Sequence, residues 1–260
     1  MTQEQRLDKL ITYFLQEHPK YSAIIVPDSI EEKQRLFRSL INVRPPASVP
    51  SQYLEVQDEY LQEELKNKHI TQVKDLAPVQ NNIFLWKGDI TTLAADAIVN
   101  AANSQMLGCF IPCHGCIDNA VHTFAGIQLR LDCAAMMQAQ QASEKTGTAK
   151  LTKAYNLPCR FILHTVGPVV DGELSPLHER QLASCYRSCL DLAVQNSIQS
   201  LAFCCISTGE FHFPNRRAAE IAISTVQDYQ ASTADQIKVI FNVYKEADYN
   251  IYRELLGADQ

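Results

Sequence analysis

The chain has 260 residues, 46% hydrophobic and 20% charged, enough apolar material for one substantial core with an appendage, so disorder, collagen and a small disulfide scaffold are excluded. Lys and Arg number 23 against 29 Asp and Glu, a formal net charge of −6 with no basic block, which argues against a nucleic-acid partner. The polar opening MTQEQRLDKL lacks an apolar signal region, and no apolar run approaches the roughly 20 residues that span a bilayer, so a soluble, cytoplasmic protein without a membrane partner is expected. In that reducing compartment most of the nine cysteines are expected as buried thiols, with a few left for metal.

In chain order, Leu7, Leu10, Ile11, Phe14 and Leu15 fall on one helical stripe behind a capping box of Thr2 and Gln5. A second helix starts after Ser29, with Glu32 at the capping-box position and a stripe of Leu36, Phe37, Leu40 and Ile41, and stops before Pro45 and Pro46. Tyr53 to Lys68 carries Tyr53, Val56 and Tyr60 in helical phase, so residues 1–80 read as helices only.

From Ile83 onward the pattern changes to short β-branched runs: IFLW, DAIVNAAN, FILHTV, LAFCCIS and QIKVIFNV. Helical patterns lie between several of them, such as Leu177 to Gln195 and Arg217 to Tyr229. The alternation predicts a three-layer α/β domain with central strands buried on both faces, and ligands in such a sheet bind beyond the carboxyl ends of the strands.

Three loops have suitable content. In WKGDITTL, Asp89 follows a turn glycine; it is suited to accept from an exocyclic amine such as that of adenine, and equally to cap the next helical turn. In VNAANSQMLGCFIPCHGCIDNAVHTFAG, Cys109, Cys113, His114 and Cys116 form a dense run of soft ligands suited to zinc. The bland alternative is a set of small buried residues in a turn-rich loop. No second CxxC or HxxxH is present to close a structural site, which predicts an open coordination position, and spacing alone does not choose among the cysteines. In CISTGEFHFPNRRAAEIA, Ser207, Thr208 and Gly209 suit a backbone cradle for a diphosphate, although many turns look similar. His164 reads as a structural residue at a strand end, His122 as core-facing, Cys204 and Cys205 as mid-strand packing, and Cys133, Cys159, Cys185 and Cys189 as packing.

Taken together, GDIT at 88–91, DAIVNAAN at 96–103, IDNAVHTFAG at 117–126, GTAKLTKAYNLP at 147–158, ILHTVGP at 162–168 and CISTGEFHFP at 205–214 resemble a macrodomain. The Cys- and His-bearing stretch GCFIPCHGCIDNAVH resembles the zinc-containing branch of protein-ADP-ribose hydrolases linked to class M sirtuins. The resemblance implies an α/β/α macrodomain with a mixed central sheet over residues 81–260, and an N-terminal helical extension, residues 1–80, packed on it. It implies one zinc ion per chain held by Cys109, His114 and Cys116 with an open position, leaving Cys113 as a neighbour. ADP-ribose would meet Asp89 and Ile90 at the adenine, Asn103 at the distal ribose, Cys116, Ile117 and Asp118 at a helix start, and Ser207, Thr208, Gly209 and Phe211 at the diphosphate and ribose. One departure stands out: Glu210 and His212 replace an apolar residue and a glycine of the common loop. A carboxylate beside a diphosphate is repulsive unless it turns away, so Glu210 is expected to offer only its amide.

The activity implied is hydrolysis of mono-ADP-ribose from acidic side chains of a modified protein, such as a lipoylated glycine cleavage H-like carrier. Asp118 would orient or deprotonate the nucleophile and Asn103 would position the ribose. The rival expectation is a reader that binds ADP-ribose without cleaving it.

Overall fold

In the computed structural model, which describes residues 1–21, 23–233 and 237–257, the apolar stripes of the first segment close on one another. Helix α1 (Gln3–Gln16) opens with the expected capping box, and α2 (Ile30–Val43) with Ser29 accepting from the amide of Glu32. Helix α3 (Ser51–Lys66) begins two residues earlier than the aromatic stripe suggests. Leu7, Leu10, Ile11, Phe14, Phe37, Leu40, Ile41, Val56, Tyr60 and Leu61 form one buried cluster, each fully buried apolar side chain contributing about 1.5–3 kcal/mol against exposure.

The expectation of helices alone through residue 80 is corrected. After α3 come two short strands, β1 (Thr71–Gln72) and β2 (Pro78–Gln80). Pro78 begins an edge strand, where a missing amide donor costs little.

The remaining elements are β3 (Ile83–Lys87), β4 (Leu93–Ala94), β5 (Ala97–Ala102), α4 (Ile117–Ala125), α5 (Ile127–Gln140), β6 (Ala149–Lys153), β7 (Phe161–Val166), α6 (Pro176–Gln195), β8 (Ser200–Phe203), α7 (Asn215–Ser232), β9 (Lys238–Val243) and α8 (Glu246–Leu255). Seven strands form a mixed sheet in the order β2-β3-β9-β8-β5-β7-β6. The inner strands are parallel, and β2 and β6 pair antiparallel at the two edges. β1 pairs separately with β4. With helices flanking the sheet and one continuous apolar cluster around it, the arrangement is a three-layer α/β/α fold.

Three local readings change. Strand β8 ends at Phe203, so Cys204 and Cys205 lie beyond it; their apolar neighbours imitate a longer strand, but the chain there is already turning toward Ser207, whose φ is +65°. His164 lies inside β7, with its side chain buried, and not at the strand end. The run expected to continue from Gln236 is a strand from Lys238, Gln236 itself lying outside the described residues.

The helical segment and the sheet domain share buried contacts. Ile127 of α5 joins the cluster of the first three helices. Arg130 Nη1 donates to the carbonyls of Ile41, Asn42 and Arg44 at 2.8, 2.9 and 2.6 Å, placing a cation on the last turn of α2, where the helix dipole favours one.

Candidate functional site

Because β3, β5 and β8 run parallel, the loops that follow them leave the same edge of the sheet, and these are the loops singled out from the sequence. After β3, Asp89 caps a short turn: its Oδ1 accepts from the amide and hydroxyl of Thr91 at 3.0 and 2.7 Å. The capping role is therefore realised, and Oδ2 is the carboxylate oxygen these bonds leave unused. Ile90, next in the chain, is buried.

After β5 the chain makes its metal-like loop. Cys109, His114 and Cys116 each place a ligand atom within 4.8 Å of the others, and all three are half-buried. Cys113 turns away: its φ is +52°, its sulfur lies 3.2 Å from Ser39 Oγ, and it contacts the carbonyl of Arg35 at 3.4 Å on α2. The geometry thus separates the cysteines that spacing alone did not. Cys116 caps α4, its sulfur accepting from the amide of Asn119 at 3.4 Å. Burial pushes the Cys116 thiol up to about 12, Asn119 opposing and Cys109 and Asp118 adding to the rise. A divalent cation deprotonates such thiols on binding, and two thiolates with one imidazole suit zinc, not magnesium or calcium.

Helix α2 holds this loop. Arg38 donates through Nη2 to the carbonyl of His114 at 3.0 Å and to Asn119 Oδ1 at 2.7 Å, with Nε also on Asn119 at 3.2 Å. Asn42 accepts from the amide of Cys113 at 2.9 Å and donates to Thr123 at 3.0 Å. Nothing in the sequence marked these residues, because their partners lie 71 to 81 positions away.

Asn103 and Asp118 meet beneath the loop. Asn103 Nδ2 donates to Gly108 O at 3.1 Å and to Asp118 Oδ2 at 3.3 Å, while its oxygen accepts from the amide of Gln105 at 2.9 Å. Asp118 is 4% exposed, and Asn100 Nδ2 donates to its Oδ1 at 2.8 Å. Burial raises the Asp118 carboxyl to about 6, with Asn100 and Arg130 pulling the other way. Asn100 also donates to His164 Nδ1 at 3.1 Å, and the other ring nitrogen lies 2.9 Å from Thr152 Oγ1. His122, Cys133 and His164 form a second close group in the core. There the nitrogens of His164 are already engaged, burial lowers both imidazoles, and the nearby Arg130 charge further disfavours a cation.

After β8, Ser207, Thr208, Gly209, Glu210 and Phe211 form a tight loop. It is fastened by His212 N to Gly209 O at 3.1 Å, Phe213 N to Ser207 O at 3.0 Å and Val170 N to Phe211 O at 2.9 Å. The amides of Gly209, Glu210 and Phe211 are not used by these bonds. Gly167, in the loop after β7, lies so close that an added Cβ would stand 2.0 Å from Ser207 Oγ. Across the site, Glu210 Oε1 approaches His114 Nε2 at 3.7 Å. The edge therefore presents a carboxylate-capped turn, a Cys₂His cluster over a buried carboxylate, and an amide-rich loop, an arrangement able to hold an anionic nucleotide and a soft divalent metal side by side.

A family model described as "Macro domain" matches residues 99–222. A protein-ADP-ribose hydrolase of Treponema medium is 51% identical over 261 residues, spanning 99% of this chain and 100% of its own length. One from Staphylococcus aureus (strain MRSA252) is 48% identical over 256 residues, 98% of this chain and 96% of that protein. The crystal structure of a Trypanosoma brucei macrodomain in complex with ADP-ribose is 30% identical and superposes with a TM-score of 0.66 over 89% of this chain and 97% of its own. Among the described residues, no helix is long and apolar enough to cross a membrane.

Proposed function

The chain belongs to the macrodomain family, and from that premise we propose that it is a zinc-dependent protein-ADP-ribose hydrolase that releases ADP-ribose from modified Asp and Glu side chains. The observation that carries the reading is the gathering of Cys109, His114 and Cys116 beside the amide-rich loop at the carboxyl edge of the sheet. Asp89 Oδ2 and the Ile90 backbone receive the adenine. The amides of Gly209, Glu210 and Phe211 hold the diphosphate, which explains how a chain of net charge −6 accepts an anion without a lysine patch.

A zinc ion held by the two thiolates and the imidazole would offer its open position to a distal-ribose oxygen or a water and lower the pKa of its proton. The chain's own residues do the rest. Asn103, between the ligand edge and Asp118, orients the distal ribose, and Asp118 takes the proton of the attacking water at Oδ2, the oxygen with the longer bond to the protein. The water oxygen bonds to the anomeric carbon of the distal ribose as the bond from that carbon to the acyl oxygen breaks. The substrate's Asp or Glu side chain leaves as its carboxylate, Asp118 passes the proton it took on to solvent, and the products are ADP-ribose and the free acidic side chain. The resemblance to the sirtuin-linked branch adds a lipoylated H-like carrier as the class of protein substrate to try first.

The rival reading, a module that binds ADP-ribose without cleaving it, draws support from Asn103 and Asp118 being bonded within the protein. The two separate on one experiment: metal analysis with a turnover assay on Asp/Glu-linked and on Ser- or Arg-linked mono-ADP-ribosylated proteins. The hydrolase reading expects one zinc per chain, many turnovers on the acidic linkage, and loss of both in Cys116→Ala. Full activity in a verified metal-free preparation overturns the zinc role, and stoichiometric retention of the modified protein without release establishes the reader.

A further inference from the structure

Glu210 is the residue of the diphosphate loop whose chemistry fits the ligand worst, and its position gives it another task. Its side chain is 69% exposed, and its Oε1 lies 3.7 Å from His114 Nε2. The opposite ring nitrogen, Nδ1, is buried and has no hydrogen-bond partner among the described residues. An imidazole that ligates a metal through one nitrogen carries its proton on the other, and that proton is normally given to a carboxylate, carbonyl or water, which fixes the tautomer and raises the basicity of the ligating nitrogen. With Nε2 turned to Glu210, the nitrogen left for the metal is Nδ1.

We propose that Glu210 is the outer carboxylate partner of His114, a positioning residue that accepts from Nε2–H and holds Nδ1 toward Cys109 and Cys116. The inference rests on the reading that this loop binds zinc. The backbones on both sides are already fixed. The His114 amide donates to Ile111 O at 3.2 Å and its carbonyl accepts from Arg38 at 3.0 Å. The 207–213 loop is fastened by the three backbone bonds described above. Only side-chain torsions separate the 3.7 Å approach from a hydrogen bond.

A simple surface ion pair would not carry this weight. At this exposure it is worth little, and a neutral imidazole gives no charge attraction at all. As a metal-ligand partner, by contrast, the carboxylate has a defined role that also resolves the electrostatic conflict with a diphosphate. Drawn onto His114, it turns its charge toward the cationic centre and leaves its amide to the nucleotide. Zinc and ADP-ribose should then bind with positive coupling, and that coupling should run through Glu210.

The test is zinc affinity by competition with a chromophoric chelator, on the full chain, for the wild type and for Glu210→Ala, Glu210→Gln and Glu210→Asp. Outer-shell partners of ligating histidines are worth about 10–100-fold in metal affinity, so Glu210→Ala should weaken zinc binding by that factor. Glu210→Gln, which keeps an acceptor oxygen, should fall between alanine and the wild type. ADP-ribose titrated into zinc-loaded and zinc-free protein should bind more tightly to the loaded wild type, and the gain should shrink in Glu210→Ala. A wild type that binds zinc while Glu210→Ala binds it within about twofold overturns this inference alone. A wild type that takes up no zinc overturns the metal reading beneath it, and the inference with it. The exposure of Glu210 predicts an unchanged melting temperature for the metal-free variants, which separates a local effect from misfolding.

Discussion

Acidification should destabilise this protein through its buried histidines, and His164 allows the effect to be worked out. Its side chain is buried between Asn100 and Thr152. Asn100 faces the ring with its Nδ2, which can only donate, so Nδ1 accepts and Nε2–H faces Thr152; a second ring proton would confront that NH₂ group. Burial holds the imidazole down to about 3, against 6.5 in an unfolded chain. The folded state therefore refuses a proton that the unfolded state accepts. The stability tied to the neutral ring is fully present above the unfolded value and is lost as the pH falls from about 6.5 toward 3. At pH 5 the loss is about 2 kcal/mol, from RT ln(1 + 10^1.5), a sizeable part of a typical total of about 5–15. His122, lowered in the same direction by burial and by the nearby His164 and Arg130, adds to the loss. Asp118, raised to about 6, offsets part of the sum, because its folded state gains a proton over the same range. Comparing urea denaturation at pH 7 and pH 5 for the wild type and His164→Gln isolates the one residue. The wild type should lose about 2 kcal/mol more than the variant. Parallel losses would show that His164 is protonated in the folded protein and would refute the reasoning. Should the variant fail to fold, NMR titration of the wild type decides the matter, since the His164 ring carbons should not titrate above pH 5.

Replacing Arg38 by Ala removes its bonds to His114 O and Asn119 Oδ1, and should cost about 1.5–3 kcal/mol in denaturant unfolding and speed zinc loss to a chelator; unchanged loss would show that α2 does not hold the loop. Gly167→Ala puts a methyl group 2.0 Å from Ser207 Oγ and 2.8 Å from Ile206 Cγ2, so these side chains must move where the loop begins and ADP-ribose affinity measured by calorimetry should fall; wild-type affinity would mean that they yield freely. Asp118→Asn should keep its zinc but lose about 10²–10⁴ in turnover, and unchanged turnover in a zinc-replete sample excludes Asp118 as the base.

Much of the fold was legible because local chemistry and tertiary packing agree. Thr2 with Gln5 and Ser29 with Glu32 mark helix starts that the structure uses, and the stripes behind them supply the buried faces of α1 and α2. The loops after β3, β5 and β8 were legible because parallel strands deliver their carboxyl ends to one edge. The errors arise where local signals are ambiguous. Cys204-Cys205-Ile206 is apolar enough to extend a strand, but the turn at Ser207 ends the ladder earlier. Residues 71–80 hold strands too short to show a period.

What the sequence could not display is the second tier of contacts around the site, and this tier assigns the roles. Cys113 and Cys116 have equivalent chemistry and a chelating spacing. They part because Cys113 adopts a left-handed backbone that turns its sulfur to Ser39, while Cys116 caps α4 and faces Cys109 and His114. Arg38 and Glu210 both reach the same histidine, one at its carbonyl and one at its ring. The helical segment and the diphosphate loop thus both bear on one loop of Cys109 to Cys116. The first fixes its backbone and the second brings a carboxylate to 3.7 Å from its imidazole, so the N-terminal helices form part of the structure that shapes the site. Truncating them should expose the apolar side chains of α5 that close their cluster and release Arg130 from its three carbonyls, and zinc affinity should fall even though no proposed ligand is removed.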